Sequence, residues 1–447
     1  MEFLDFKNKL FSKAKENGFN ECEVYYVDGE SLTINIYQEK VEKYKLNKTF
    51  GLSFRGIIND KMGYSYTEIL DEDAIDMLVN SAKSCAMCIE STDKQFIYKG
   101  DEKYPDVKTY SENLENIDAQ KLIDLGLQME KEAKEYSDKV VNIAGCAIGY
   151  GSSVSGISNT NGLDIKCKSN SLTAYVCPVV EDSGNKYDGT GYVIANSLED
   201  VNPKKIAKDG VEEALARIGG VSIESKKYKT IIYNEAMVSL ISAFIGIFDS
   251  DNAQKGFSLL KGKEGEKVAS DIVTIVDNPL LEDGMASTPF DDEGVATYKK
   301  DIIKNGKLVT LLYNLKTANK AGVKTTGNGF KGSYASPVEI SPTNFYIENG
   351  SESLEDIMKN IGEGVMVTEF AGMHAGANSI TGDFSLAAKG FYIKDGMKAF
   401  PIEQITIAGN FFDVLKNIEI IGSDLKFPLS SIGSPSVYVG ELSVAGK

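Results

Sequence analysis

The chain has 447 residues, 42% hydrophobic and 25% charged, and its 48 basic and 65 acidic residues give a formal net charge of −17. That acidic balance argues against nucleic acid as a direct ligand, since phosphate binding needs a basic surface, and no stretch approaches the length of a membrane-spanning helix. A single histidine, and six cysteines confined to positions 22–177, leave little material for a zinc site of the His/Cys type.

The N-terminal Met1-Glu2-Phe3-Leu4-Asp5 is acidic and unlike a secretory signal, and the cysteines follow no framework spacing. Reduced thiols in a cytoplasmic protein are the expectation. A chain of this length predicts two to four domains or subdomains. Residues 3–17 carry Phe3, Leu4, Phe6, Leu10, Phe11 and Ala14 near helical spacing and predict an amphipathic helix. Runs rich in Val, Ile, Tyr and Thr at 21–27, 31–38, 41–47, 49–57 and 61–67 predict strands, with Asp28-Gly29 and Asn59-Asp60 as hairpin turns. A second helix starts at Asp71 or Asp73, acids suited to its positive end, and runs to about residue 90. Its Cys85-Ala86-Met87-Cys88 reads as two half-buried thiols, because no second pair accompanies it. The polar stretch at 98–113, with Pro105, predicts a linker. Beyond it come a helix at 118–136, strands at 140–150, 152–159, 163–179 and 185–196 with an Asn161-Gly162 turn, and a helix at 202–218 stopped by Gly219-Gly220. Strands and helices thus alternate in two similar blocks, which predicts two α+β lobes over 1–97 and 114–222.

After Gly220 the composition changes. A strand at 227–233 runs into a helix whose Met237, Leu240, Ile241, Phe244, Ile245 and Phe248 form one apolar stripe. Strand-like runs then dominate, at 272–276, 297–303, 307–313, 338–347, 364–370, 387–394, 398–407, 418–422 and 436–444, with Asn305-Gly306 and Asp395-Gly396 as turns. One helix, at 354–361, follows Ser351 without a capping box. The expected fold class is α+β: a two-lobed α+β N-terminal half, then a mostly antiparallel β domain, barrel- or sandwich-like, over 223–447.

Four polar clusters stand out in the β half. Asn234 and Glu235, with Ser239 on the next turn, mark the strand-to-helix junction. Phe290-Asp291-Asp292-Glu293-Gly294 offers oxygen ligands of the kind a hard cation prefers, yet three adjacent acids cannot all point at one ion from a strand. A turn with solvated carboxylates is the simpler reading. Thr325-Thr326-Gly327-Asn328 leads towards Pro342-Thr343-Asn344. The segment 372–385 holds the only histidine, His374, among Gly372, Gly376, Gly382, Asn378, Thr381 and Asp383. Taken alone it reads as a turn between two strands, too rich in glycine for a regular helix or a long strand.

In this order the clusters resemble the TldD/PmbA family, also named for modulation of DNA gyrase. The resemblance spans nearly the whole chain and is strongest over 290–446. It rests on Phe290-Asp291-Asp292-Glu293-Gly294-Val295, Thr326-Gly327-Asn328, Pro342-Thr343-Asn344, and Asn378 with Thr381-Gly382-Asp383-Phe384-Ser385. It continues through Pro401-Ile402-Glu403-Gln404-Ile405-Thr406-Ile407-Ala408-Gly409-Asn410 and Glu441-Leu442-Ser443-Val444-Ala445-Gly446. TldD-like members carry His-Glu-x-x-x-His on the first helix of the C-terminal half and bind zinc with a later cysteine; PmbA-like members, also called TldE, lack that motif. Here the two histidines would fall on Asn234 and Ser239, the glutamate falls on Glu235, and no cysteine follows Cys177. Asn is a poor zinc donor and Ser a worse one unless ionised, so the chain resembles the PmbA/TldE kind.

The resemblance implies that this chain has no catalytic residue or metal of its own, Asn234, Glu235 and Ser239 being degenerate motif positions. It implies a TldD-like zinc peptidase subunit as partner, zinc held by that partner, and unfolded or extended precursor peptides as the shared substrate. Neither nucleic acid nor membrane is an expected ligand, and a homodimer is the alternative assembly for the isolated chain. Asp291, Asp292, Glu293, Thr326, Asn328, His374, Asn378, Thr381 and Asp383 are the candidate substrate- or partner-contacting residues. Two other readings remain. One is a self-sufficient hydrolase using His374, a nearby acid and Ser379 or Ser385, although no G-x-S-x-G elbow is present. The other is a non-catalytic module that holds extended peptides by strand addition.

Overall fold

The computed structural model describes residues 1–90 and 95–447; residues 91–94, inside the expected first lobe, lie outside the described residues. Helix α1 (Phe3–Glu16), strands β1 (Glu21–Tyr37), β2 (Lys40–Ile58) and β3 (Lys61–Thr67) and helix α2 (Glu72–Met87) come first. Helix α3 (Ala119–Glu135), strands β4 (Val140–Asn159), β5 (Asp164–Asp182), β6 (Asn185–Asp188) and β7 (Gly191–Ala195) and helix α4 (Pro203–Ala216) follow. All seven strands belong to one sheet, ordered β3-β2-β1-β4-β5-β6 with β7 also on β5.

The strands run through breaks that local turn propensity predicts. Asp28-Gly29 is not a turn: Gly29 lies inside β1, opposite Thr49 of β2 and Ser153 of β4. A residue paired on both sides gains two ladders, which outweighs its turn preference. A Cβ at Gly29 would lie 3.3 Å from the Ser152 carbonyl oxygen, so glycine there lets β4 approach closely. The β1–β2 turn falls instead at Gln38 and Glu39, with φ of 51° and 61°. Asn59-Asp60 and Gly162 turn as expected, also at positive φ.

Even-numbered β1 residues build two cores on one face of this sheet. Val24 packs with Phe6 and Leu10 of α1 and Leu78 of α2. Ile34 packs with Leu122 and Met129 of α3 and Ile206 of α4. The two lobes therefore share a strand. Near the start of β1 the odd-numbered residues face the C-terminal half, where Tyr25 packs with Phe290.

In that half, β8 (Lys226–Ile232) leads into α5 (Asn234–Phe244). Strands Met397–Asn410, Asp383–Lys394 and Gly364–Ala371, then β8 and Val437–Ala445, pair in that order, and the last pairs back onto the first through Thr406 opposite Ala445. The sheet thus closes as a barrel, in accord with the expected α+β class and its barrel-like second half. A second, five-stranded sheet contains Lys300–Lys304, Ile275–Asp277 and Phe345–Ile347.

Several expected elements are shorter. The run at 338–347 is cut at Pro342: Val338–Ile340 pairs with Gly329–Lys331, while Phe345–Ile347 joins the five-stranded sheet. Proline has no N–H for a ladder. The runs at 297–303 and 307–313 shrink to Lys300–Lys304 and Lys307–Leu308. The helix Leu354–Ile361 is capped by Ser353, not Ser351, whose hydroxyl accepts the Asp356 amide. The stripe of α5 buries Met237, Leu240, Ile241 and Phe244, but the α-helix ends at Phe244 and Ile245–Phe248 is a 3₁₀ turn. That tighter winding puts Ile247 and Phe248 in the core and leaves Ile245 half-buried. Among the described residues no helix is long and apolar enough to cross a membrane.

Candidate functional site

The β8–α5 junction places Glu235 at the edge of a cavity, with Asn234 and Ser239 on the same helix. Tyr233 caps α5 in extended geometry without a side-chain cap, so the first amides of the helix find other acceptors. The Ser436 hydroxyl accepts the Asn234 amide at 3.2 Å, and Asn234 Oδ1 accepts the Glu235 amide at 2.7 Å. The Asn234 Nδ2 group donates to the carbonyl and carboxylate of Asp424 at 3.1 and 3.2 Å. Asn234 is buried. Ser239 is exposed, and its hydroxyl donates back to the Glu235 carbonyl at 3.0 Å. The Glu235 carboxylate accepts from the Lys426 ammonium at 2.6 Å and from the Tyr192 hydroxyl at 3.1 Å. Burial works against the Lys426 charge, but Glu235 more than offsets it and holds the Lys426 pKa above its usual value. Burial, together with the Glu235 charge, raises the Tyr192 pKa.

The acids of Phe290–Gly294 lie inside the molecule rather than in a solvated turn. Asp291 is fully buried; its Oδ1 accepts the amides of Glu293 and Val295, both at 3.0 Å, and its Oδ2 accepts that of Gly329 at 2.9 Å. Asp292 Oδ2 accepts the Lys331 amide at 2.8 Å. Glu293 Oε2 accepts the Leu315 amide at 2.7 Å, and its Oε1 lies 3.7 Å from the Arg55 guanidinium. Arg55, from β2, donates to Glu23 of β1 at 2.6 Å. Lys331 reaches the Ser53 hydroxyl at 3.1 Å and lies over the Tyr25 and Tyr64 rings. The motif therefore seats the N-terminal sheet on the C-terminal half. Burial raises the Asp291 and Glu293 pKa values, pushes Asp292 up to about 6 and lowers Lys331 to about 8.

Thr326 and Asn328 are buried too. Thr326 Oγ1 accepts the Tyr313 amide at 2.7 Å. Asn328 donates to Asp277 at 2.9 Å and accepts from Lys300 at 3.1 Å, and Lys300 pairs with Asp277 at 2.9 Å. The remaining candidates are exposed. Met373–Gly376 forms a single helical turn, and Asp383 already opens the strand Asp383–Lys394 because Phe384, Leu386 and Ala388 alternate inward. Asn378 Oδ1 accepts the Ile380 and Thr381 amides; Asp383 accepts from the Thr381 hydroxyl at 2.8 Å and from Asn410 at 2.9 Å. The His374 ring is exposed and makes no hydrogen bond or ion pair among the described residues.

Models of the PmbA/TldA metallopeptidase family match three segments: domain 1 over residues 22–86, the central domain over 112–218 and the C-terminal domain over 225–446. A solved structure of a proposed DNA gyrase modulator from Thermotoga maritima is 34% identical, covers 99% of this chain and 100% of its own, and superposes with a TM-score of 0.92. The chain belongs to the PmbA/TldD family. Within that family it is 27% identical over 423 residues to metalloprotease PmbA of Escherichia coli O157:H7, covering 93% of this chain and 90% of the relative. TldE from Thermococcus kodakarensis, 21% identical with a TM-score of 0.90 and coverage of 99% and 100%, shares the fold.

Asn234, Glu235 and Ser239 do not fit a zinc ion. The Asn234 amide is committed to Asp424, the Ser239 hydroxyl to its own helix, and the glutamate between them is neutralised by an ammonium. A zinc ligand needs a free lone pair at about 2 Å. Among the described residues no three His, Cys, Asp or Glu side chains are grouped to hold a metal. Lys426, Tyr192, Asp424 and Arg55 carry no local motif, and only tertiary pairing brings them to these sites.

Proposed function

We propose that this chain is the metal-free member of a TldD/TldE-type peptidase pair, working in the cytoplasm beside a TldD-like zinc subunit on unfolded or precursor peptides. The single observation that carries this reading is the Glu235–Lys426 pair, 2.6 Å apart. A metallopeptidase glutamate serves as a general base towards bound water; here the corresponding carboxylate is tied to a lysine. The partner's metal would supply Lewis acidity. This chain's share is to bind and orient, since holding an extended peptide removes orientational entropy from the chemical step.

His374, Asn378, Thr381 and Asp383, all exposed, are the proposed contacts to partner or peptide. Asp291, Asp292, Glu293, Thr326 and Asn328 would act from beneath, by fixing the loops that carry the surface. No observation favours a self-sufficient hydrolase: the His374 ring is unpartnered among the described residues, and Asp383 is engaged by Thr381 and Asn410.

The test mixes the purified chain with the TldD-like subunit of the same organism and an unfolded peptide. The chain alone leaves the peptide intact; the mixture forms a stable complex and cleaves it. Substituting the motif glutamate of the partner abolishes cleavage, while Ser239→Ala here preserves it. Metal-independent cleavage by this chain alone, lost on His374→Ala, would overturn the reading.

A further inference from the structure

A cavity of about 260 Å³ lies where α4 leans on the barrel beside Glu235. Each charge that lines it has an opposite charge within ion-pair distance, with one exception. Asp209 faces Lys205 at 3.5 Å, Glu213 faces Arg217 at 2.6 Å, and Glu235 faces Lys426 at 2.6 Å. Arg217 has two further carboxylates, Glu369 at 3.0 Å and Asp188 at 3.7 Å. Lys398 alone among the lining cations has no carboxylate within ion-pair distance and donates no hydrogen bond among the described residues; its ammonium sits 5.0 Å above the centre of the Phe391 ring. Met366 and Phe391 supply an apolar wall next to it.

We propose that this cavity binds a carboxylate carried on a short apolar tail, the C-terminal end of an extended peptide, with Lys398 as its counter-ion. Lys398 is an exposed residue at the cavity wall whose ammonium feels Glu355 only beyond ion-pair distance, so it can take one further negative charge as a direct partner. The balanced pairs around it leave no room for a polyanion, which would face three carboxylates. The volume suits one terminal residue. Burial lowers the Lys398 pKa, which accords with an ammonium that gains from a counter-ion. The choice of a peptide end rests on the peptide reading above; carboxylate recognition does not.

The chain contains no tryptophan, so a tryptophan-containing peptide reports its own binding by fluorescence. The probes are N-acetyl-Ala-Trp-Phe with a free carboxylate, the same tripeptide as its C-terminal amide, N-acetylphenylalanine as competitor and inorganic phosphate as competitor, each against the full chain without partner. The free acid is expected to bind at least tenfold more tightly than the amide, to lose at least tenfold on Lys398→Met, and to recover most of that with Lys398→Arg. Equal binding of acid and amide, no binding of either, or displacement by millimolar phosphate would each overturn the carboxylate assignment. Displacement by N-acetylphenylalanine at the tripeptide's own affinity would overturn the peptide end in favour of a small carboxylic acid. The acid–amide comparison uses the unmodified chain, so it stands even if a variant fails to fold. Because no partner is present, a failure here is distinct from a failure of the paired-peptidase reading.

Discussion

The Glu235 cluster and the Asp291–Glu293 cluster both set motif carboxylates against lysine or arginine, yet they do opposite work. At Glu235 one acid meets one ammonium at a half-exposed cavity wall, and the pair can exchange with solvent. At 291–293 the acids are held chiefly by backbone amides from three separate segments, and the Arg55 guanidinium arrives from the other half of the molecule. Carboxylates fixed by amides set the shape of the backbone; a carboxylate fixed by a lysine leaves the backbone free and changes only the local charge. The Asp291–Glu293 cluster is thus a structural joint, and Glu235 borders an open space.

The most severe way to break that contrast is Asp291→Ala. It strands three buried amides and should cost about 4 kcal/mol, read by chemical denaturation. Asp292 sharpens it through pH. Its folded pKa is pushed up to about 6, above the usual carboxylate value of roughly 3.9, so between those limits the folded state binds the extra proton and stability falls as pH rises. Relative to Asp292→Asn, the unmodified chain should gain on the order of 2 kcal/mol as pH drops from 6 to 4; a difference flat across that range would count against a desolvated Asp292. At the other cluster, Lys426→Met should cost only about 1 kcal/mol, since both partners reach solvent, and a cycle with Glu235→Gln should recover most of it. Ser239→Ala, whose hydroxyl only bonds back to its own helix, should shift stability by no more than about 0.5 kcal/mol.

How legible these regions were in the sequence follows from the range of the forces involved. The α5 stripe and the two-part α+β plan rest on local periodicity, and they appear in the structure with the α-helix ending at Phe244. Asp28-Gly29 looked like a turn because turn propensity is local, whereas the ladders on both sides of Gly29 come from distant strands. The acids at 291–293 looked solvated for the same reason. Their amide donors at 315 and 329 and the Arg55 guanidinium are set by tertiary packing, which no spacing rule reports. Lys426 as the partner of Glu235 could not be read, because it lies 191 residues further along the chain.

The strand shared by two cores also constrains the order in which the chain can fold. β1 pairs with β2 beside it in sequence, but its other neighbour is β4, with Tyr25 opposite Ile157. Val24 and Ile34 lie on a strand whose second edge stays open until β4 has been made. During synthesis α1, β1, β2, β3 and α2 can gather into a partial sheet, yet β1 keeps an unpaired edge until residues 140–159 emerge. Non-local pairing of this kind is slow to form and leaves an aggregation-prone edge in the interim. A chain truncated just after α2 should therefore be poorly soluble on its own, even though it carries a complete-looking hydrophobic core.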